Sequence, residues 1–342
     1  MKNILFVITK SEVGGAQKWV KEQISICNQN FNSHLATNKR GWLTKNFNSH
    51  NLFISKLIEM RFSITYLFLL NKYVSKNKID MIIASSANAG IVSRLLKILN
   101  KDIKVIYVSH GWSAIYNGNK ITQFFYTQVE KYLSKLSDSI LCISEYDYNT
   151  AINIIGINKE KLKWISNSIY PIQQKNHQIL EKKIRILSVA RLSPPKRMDL
   201  LINAVQNIPV DLHIIGDGVL KSDLEKTSQK NVIFHGEIEG FKNFSEYDVF
   251  CLISDSEGLP LSAIEAMSCG LPLIISEVGG CSELISGNGS LVRNNISDIN
   301  KKILECLPHI EKYGLVSKEL FEAKFNLKKN KQIFISFYEE IL

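Results

Sequence analysis

Asp248-Val249-Phe250-Cys251-Leu252-Ile253-Ser254, followed at once by Asp255-Ser256-Glu257-Gly258-Leu259-Pro260-Leu261-Ser262-Ala263-Ile264-Glu265-Ala266-Met267, is the stretch whose reading decides the fold. The first half is a short apolar run without polar alternation, which predicts a strand covered on both faces. Gly258 and Pro260 mark a turn, and helix-forming residues follow from Leu261 to Ser268. The backbone N–H groups of that first helical turn lack intrahelical acceptors and sit at the positive end of the helix dipole, which suits a phosphate. Glu265 falls one turn further in, on the face of Leu261. A carboxylate there repels a phosphate beside it and suits hydroxyls, such as those of a ribose. Glu257 lies in the turn, free to meet other hydroxyls. On spacing alone, two glutamates eight apart serve equally well as a helix-capping acid and a solvated one.

The same strand–turn–helix unit recurs along the chain. Upstream, Arg185–Ala190, Asp211–Ile215 and Asn231–Phe234 read as strands, downstream Leu271–Ser276, with helices at Asp199–Val205 and Leu220–Ser228 between them. The first half repeats the pattern with strands at Ile4–Ile8, His34–Thr37, Asp80–Ala84, Lys104–Ser109, Ser139–Ile143 and Lys163–Ser166. An amphipathic helix there carries Ala16, Trp19, Val20, Ile24 and Cys27 on one face. Alternating strands and helices predict an α/β protein with parallel sheets. The polar stretch Tyr170 to Lys183 has no apolar periodicity and divides the chain into two doubly wound domains, residues 1–170 and 171–328. A last amphipathic helix, residues 329–342, has Ile333, Phe334, Phe337, Tyr338 and Ile341 on one face and is expected to pack back toward the first domain. Ligands of open α/β sheets sit beyond the carboxyl ends of the strands, so two such sheets place the expected site in a cleft between the domains.

The bulk composition fits this plan. The chain's 342 residues suffice for two domains, and 45 % hydrophobic content excludes a disordered chain. No secretory signal layout opens the sequence, and the greasiest stretch, Phe62 to Leu70, is far shorter than the ~20 residues of a bilayer span. Cys27, Cys142, Cys251, Cys269, Cys281 and Cys306 form no CxxC pair, which predicts a cytoplasmic, reducing setting. Residues 1–170 hold 22 Lys/Arg against 10 Asp/Glu, whereas residues 171–342 hold 20 against 22. A basic first half suggests an anionic partner. The segment Lys56 to Lys78, with Arg61, Lys72, Lys76 and Lys78 around a greasy centre, suits the inner face of the plasma membrane as well as it suits a core helix with solvated ends. No nucleic-acid motif accompanies the charge.

Two further turns carry polar chemistry. In Val189-Ala190-Arg191-Leu192-Ser193-Pro194-Pro195-Lys196-Arg197 a strand again runs into a turn and a helix. Arg191 offers a planar fork of donors and Lys196 a point charge, both suited to a diphosphate. After the first strand, Gly14-Gly15-Ala16-Gln17 places two glycines where the backbone turns sharply or approaches a ligand, without the GxGxxG spacing of dinucleotide binders.

Together with Val108-Ser109-His110-Gly111, Ile143-Ser144, Ile165-Ser166-Asn167, Ile215-Gly216-Asp217-Gly218, Phe234-His235-Gly236, Val278-Gly279-Gly280 and Glu283-Leu284-Ile285, these segments resemble family 4 of the glycosyltransferases. The resemblance covers nearly the whole chain. It implies the GT-B fold, two Rossmann-like domains, and a retaining enzyme that takes a sugar from a nucleotide-diphosphate donor, a UDP-sugar being favoured. By resemblance, Arg191 and Lys196 hold the diphosphate and Glu265 the ribose. Glu257 then touches the donor sugar, and amides near Leu261 and Ser262 help to hold the phosphates. Backbone near Ile238 reads the base, and Gly15, with Gly14 beside it, closes an amide on the diphosphate. His110 matches a histidine facing the donor sugar. The resemblance thus makes His110, Glu257, Arg191 and Lys196 the catalytic set. No metal or other cofactor is expected, because Arg191, Lys196 and the helix amides can stabilise charge on the leaving diphosphate.

Departures from the family pattern bear on the donor: Leu259-Pro260 stands where Phe-Gly is usual, Asn167-Ser168 where Asn-Gly is usual, and Arg197 replaces a glycine and adds charge near the diphosphate. The expected acceptor is a saccharide or a polyprenyl-diphosphate-linked sugar in capsule, O-antigen or lipopolysaccharide synthesis, met by a protein peripheral to an anionic membrane surface. Two other readings stay open: a nucleotide-sugar 2-epimerase on the same fold, and a non-catalytic nucleotide-sugar-binding partner in a glycan assembly complex.

Overall fold

The computed structural model describes residues 1–342 apart from Asn46, Arg61, 113–118 and 173–182. Contacts divide the chain into two compact units, Met1–Asn167 with Lys329–Leu342, and Ser168–Lys328. Most of the Tyr170–Lys183 stretch expected as a linker lies outside the described residues.

The first unit is built on seven parallel strands. They are β1 (Lys2–Val7), β2 (Phe31–Thr37), β3 (Leu52–Ile54), β4 (Met81–Ala84), β5 (Lys104–Ser109), β6 (Ser139–Cys142) and β7 (Leu162–Trp164), in the order β3-β2-β1-β4-β5-β6-β7. Strand β1 pairs with β2 on one side and β4 on the other, so the connections leave it in opposite directions. Such a switch point opens a crevice at the carboxyl ends of β1 and β4. Ile4, Leu5, Phe6 and Val7 are all buried, as expected for a strand covered on both faces. Helix Ile64–Lys76 buries Tyr66, Leu70 and Val74 in the same core as Val92 and Leu96 of helix Ala87–Leu99.

The segment Lys56 to Lys78 is not one helix. A 3₁₀ turn at Lys56–Glu59 precedes Phe62, which is left-handed (φ 60°), and the Ser63 hydroxyl caps the helix by accepting from the Tyr66 amide at 3.2 Å. Ser63 is a better cap than an interior residue, because its side chain satisfies an orphan amide. Arg61 of this segment lies outside the described residues.

In helix Leu327–Ile341, Phe334, Phe337 and Tyr338 are buried, and the Tyr338 hydroxyl donates to Gln23 Oε1 at 2.7 Å. Ile333, assigned to that face from the sequence, is 51 % exposed, and Ile335 is buried instead. Residues 334, 337, 338 and 341 follow the helical spacing, and position 333 lies about 100° off their stripe.

The second unit has six parallel strands. They are β8 (Ile184–Val189), β9 (Val210–Ile215), β10 (Val232–Gly236), β11 (Val249–Leu252), β12 (Leu273–Ser276) and β13 (Gly289–Val292), in the order β10-β9-β8-β11-β12-β13. Its switch point lies between β8 and β11, where Val249 pairs with Ile186. Ile186, Leu212, Ile214, Cys251 and Ile274 meet helix residues such as Leu201, Ile202 and Ile303 in one core. Both sheets are thus doubly wound and parallel, the α/β class expected. Strand β13 was invisible as a run because it opens on Gly289 (φ 153°) and Ser290. All six cysteines are buried and free. Among the described residues no helix is long and apolar enough to cross a membrane.

Candidate active site

In the second unit, the loops after β8 and β11 flank the switch point and are stitched together. The Arg197 amide donates to the Ile253 carbonyl at 2.9 Å, the Asp255 amide to the Pro195 carbonyl at 2.8 Å, and Lys196 bridges Ser254 backbone to backbone. This brings the Lys196 ammonium onto the Glu257 carboxylate as an ion pair, with side chains only 18 % and 11 % exposed. Arg191, on the same loop as Lys196, is exposed and has no ion pair or side-chain hydrogen bond among the described residues. Its guanidinium is therefore available to an anion. Arg197 is not: its guanidinium donates to Asp199 at 2.8 and 3.0 Å and reaches Asp255 at 3.5 Å. The carboxylates hold Arg197 well above the ordinary arginine range, first through the hydrogen bonds to Asp199. The charge it was expected to add near a diphosphate is already neutralised.

Helix Leu261–Ser268 begins at Pro260, and its first intrahelical bonds run from the Ala263 and Ile264 amides to the Pro260 carbonyl at 3.2 and 3.3 Å. The Leu261 and Ser262 amides precede those bonds and lack helical acceptors. Glu265, one turn on, is 9 % exposed. Ile238, 42 % exposed, lies in the turn after β10, its carbonyl accepting from the Phe241 amide at 3.3 Å.

The glycine pairs noticed in the sequence build the layer beneath these loops. Gly279 (φ 52°) is so close to Glu257 that a Cβ would lie 1.8 Å from the Glu257 carbonyl oxygen, and the Gly280 amide donates to the Gly258 carbonyl at 2.9 Å. At Gly216 (φ 147°) a Cβ would lie 1.9 Å from the Ala190 oxygen, beside Arg191. These positions exclude side chains because the backbone at Ala190 and at Glu257 lies directly against them.

In the first unit, Gly14 and Gly15 follow β1 and open helix Gly15–Cys27. Gly14 is extended (φ −178°), and a Cβ on Gly15 would meet nothing within 4 Å. Neither glycine is required by a left-handed turn, and Gly15 is not required by crowding. His110 follows β5, partly buried, with Nε2 3.4 Å from the Ser85 hydroxyl and its ring edge-on to Trp19 at 5.3 Å. Burial pushes its pKa down to about 4, so the imidazole is neutral at pH 7. Among the described residues no three His, Cys, Asp or Glu side chains cluster as metal ligands.

Residues 183–309 match the family model described as Glycosyl transferases group 1, and residues 13–171 match that described as Glycosyltransferase Family 4. Over 316 residues, 92 % of each chain, the sequence is 45 % identical to the O-antigen biosynthesis glycosyltransferase WbnH of Escherichia coli. The chain belongs to glycosyltransferase family 4. A more distant relative of this glycosyltransferase is the Escherichia coli UDP-Gal:alpha-D-GlcNAc-diphosphoundecaprenol alpha-1,3-galactosyltransferase, 27 % identical over 66 % of this chain and 63 % of the other. In three dimensions it resembles Anabaena Alr3699/HepE, solved in complex with UDP and glucose, with a TM-score of 0.84 and 17 % identity over 99 % of this chain and 100 % of the other.

Three features of the glycosyltransferase's loops escaped the sequence reading. One is the direct Lys196–Glu257 pair. Another is Asn294, whose amide donates to the Ser254 carbonyl and to Asp255, each at 2.9 Å, and whose Oδ1 accepts from Ser276 at 2.6 Å, clamping the loop after β11. The third is Ser85 beneath His110. No local pattern announces any of them, because each partner comes from a different strand end.

Proposed function

We propose that this glycosyltransferase moves a sugar from a nucleotide-diphosphate donor, a UDP-sugar, to a saccharide or lipid-linked acceptor in surface-glycan synthesis, with retention of anomeric configuration and without a metal. The observation that carries this reading is the exposed, unpaired Arg191 at the carboxyl end of β8, across the switch point from Glu257. Breaking the sugar–phosphate bond leaves negative charge on the diphosphate. The Arg191 fork, the Lys196 ammonium and the Leu261 and Ser262 amides would take up that charge, where fixed donors cost no reorganisation. Glu265 would accept from the ribose hydroxyls, backbone at Ile238 would read the base, and Glu257 would meet the sugar once the diphosphate draws Lys196 away. The family resemblance assigns Gly14, Gly15 and a neutral His110 to the donor as well. The names of WbnH and of the diphosphoundecaprenol galactosyltransferase support a glycan or lipid-linked acceptor.

An anionic membrane surface is part of the same reading. Helix Ile64–Lys76 exposes Ile64, Phe68 and Leu69 on the same element as exposed Lys72 and Lys76. Lysines near such a surface contribute about 1 kcal/mol each. Retention of the protein on anionic but not neutral liposomes, weakening as salt rises, is the expected result.

The deciding experiment follows thermal stabilisation of the purified protein by UDP-, GDP- and ADP-sugars, then adds a saccharide acceptor and determines the product anomer by NMR. Stabilisation by a UDP-sugar and a retained anomer, both surviving EDTA, are expected. An inverted product, or activity abolished by EDTA and restored by a divalent cation, refutes the corresponding part of the proposal.

A further inference from the structure

On the first unit, a cavity of about 360 Å³ opens between helix Gly15–Cys27 and a loop that contributes Trp42, Leu43, Phe47, Asn48 and Asn51. It falls within the size range of small-molecule sites. Its lining combines aromatic rings, Trp42 and Phe47, with the amide side chains of Asn28, Asn48 and Asn51. A pyranose ring presents that pair of surfaces: C–H faces that pack on aromatic rings, and hydroxyls that both donate to and accept from amides.

The cavity is built rather than incidental. Trp42 starts the 3₁₀ turn Trp42–Thr44, pinned by the Leu43 amide donating to the Ser11 carbonyl at 3.1 Å and the Gly41 amide to Thr44 Oγ1 at 2.9 Å. The Lys21 ammonium, also lining the cavity, lies 4.4 Å from the centre of the Trp42 ring and holds it in place. The Asn51 amide donates to the Ser33 carbonyl at 3.2 Å, fixing its orientation. Ser33 lines the cavity too. It is 8 % exposed, and its hydroxyl has no hydrogen-bond partner among the described residues.

We infer that this cavity is a second saccharide site, which holds a sugar unit of the glycan acceptor remote from the reacting hydroxyl. The inference rests on the proposed glycan acceptor. The cavity's helix lining, Lys21 to Asn28, lies six to thirteen residues beyond Gly15, a rise of about 9–20 Å, while Leu43 ties its loop to Ser11 in the turn after β1. An acceptor chain several sugars long would then be anchored by a unit that takes no part in the chemistry, which selects chain length or repeat composition.

The probes are oligosaccharides of one to four sugars, released by mild acid from bacterial O-antigen, and binding is read by saturation-transfer NMR. Saturable binding to the unaltered protein and to Lys196→Ala is expected, weakened about 10-fold or more in Trp42→Ala and in Asn48→Ala. Asn48 is exposed, so its variant tests the site even if Trp42→Ala fails to fold. UDP affinity, measured in parallel, should be unchanged in both cavity variants. Absence of oligosaccharide binding to the unaltered protein, or binding by Asn48→Ala and Trp42→Ala as tight as by the unaltered protein, overturns the inference. Absence of UDP binding to the unaltered protein instead sinks the donor reading and leaves the saccharide measurement standing.

Discussion

Replacing Glu257 by Gln separates two roles that the Lys196–Glu257 pair combines. Both side chains are more than four-fifths buried, and neither charge is well solvated once its partner is gone. Removing one member of a buried pair costs about 3–5 kcal/mol. Residual exposure and the hydrogen-bonding amide of Gln reduce this to about 2–3 kcal/mol. In a unit of this size each kcal/mol shifts Tm by about 2–4 °C, so ligand-free Glu257→Gln should melt about 4–12 °C lower. UDP, which lacks the sugar that Glu257 would touch, should bind the variant at least as tightly as the unaltered protein, because the lysine no longer has to leave a carboxylate. At 100 times Kd it returns about 2.7 kcal/mol, enough to offset most of the loss. Lys196→Ala is the contrasting case: it loses stability for the same reason and also loses a charge-assisted contact worth about 1.5–3 kcal/mol, or roughly 10- to 150-fold in UDP affinity. Differential scanning fluorimetry with and without UDP, backed by calorimetric titration, reads both quantities. An unchanged Tm in ligand-free Glu257→Gln, or equal loss of UDP binding in the two variants, would refute the reasoning.

Arg191→Ala should leave stability within about 0.5 kcal/mol, since the side chain is exposed and unpaired, yet weaken UDP binding about 10-fold or more; a calorimetric titration beside a urea melt tests both halves. Gly279→Ala would force a methyl into the Glu257 carbonyl and a left-handed backbone at φ 52°, so the loop must move; a destabilisation above about 2 kcal/mol together with weakened UDP binding is the expected outcome in the same two assays. His110 has a folded-state pKa of about 4 against the ordinary 6.5, so between these values the unfolded chain binds the extra proton. Its contribution to stability is therefore complete above pH 6.5 and lost as pH falls toward 4. Urea melts from pH 7.5 to 4.5 should show this loss, flattened in His110→Gln, and a neutral His110 adds no inflection to the activity profile between pH 5.5 and 8.

The strands were legible wherever a run of apolar residues meets a turn, because burial on both sheet faces leaves a local mark. β3 and β13 left none: the first has three residues, and the second opens on glycine and serine. The helix at Ile64–Lys76 was legible as apolar, but its start was not, since the cap at Ser63 competes with a continuing helix through a single hydrogen bond. Similarly, Arg191, Lys196, Glu257 and Glu265 stood out as strand–turn–helix residues, and the family resemblance assigned them roles. Their arrangement is another matter. Lys196 meets Glu257 across 61 residues of sequence, Arg197, paired with Asp199, also reaches Asp255 on the neighbouring loop, and Gly279 seats the Glu257 loop. The cavity beside Trp42 likewise joins a helix face to a loop from a different strand end. Local periodicity encodes which residues are buried and in what element. Which loop lies beside which follows from the strand order, here β8 against β11, and that order is settled by how whole sheets and helices pack rather than by any neighbouring residue.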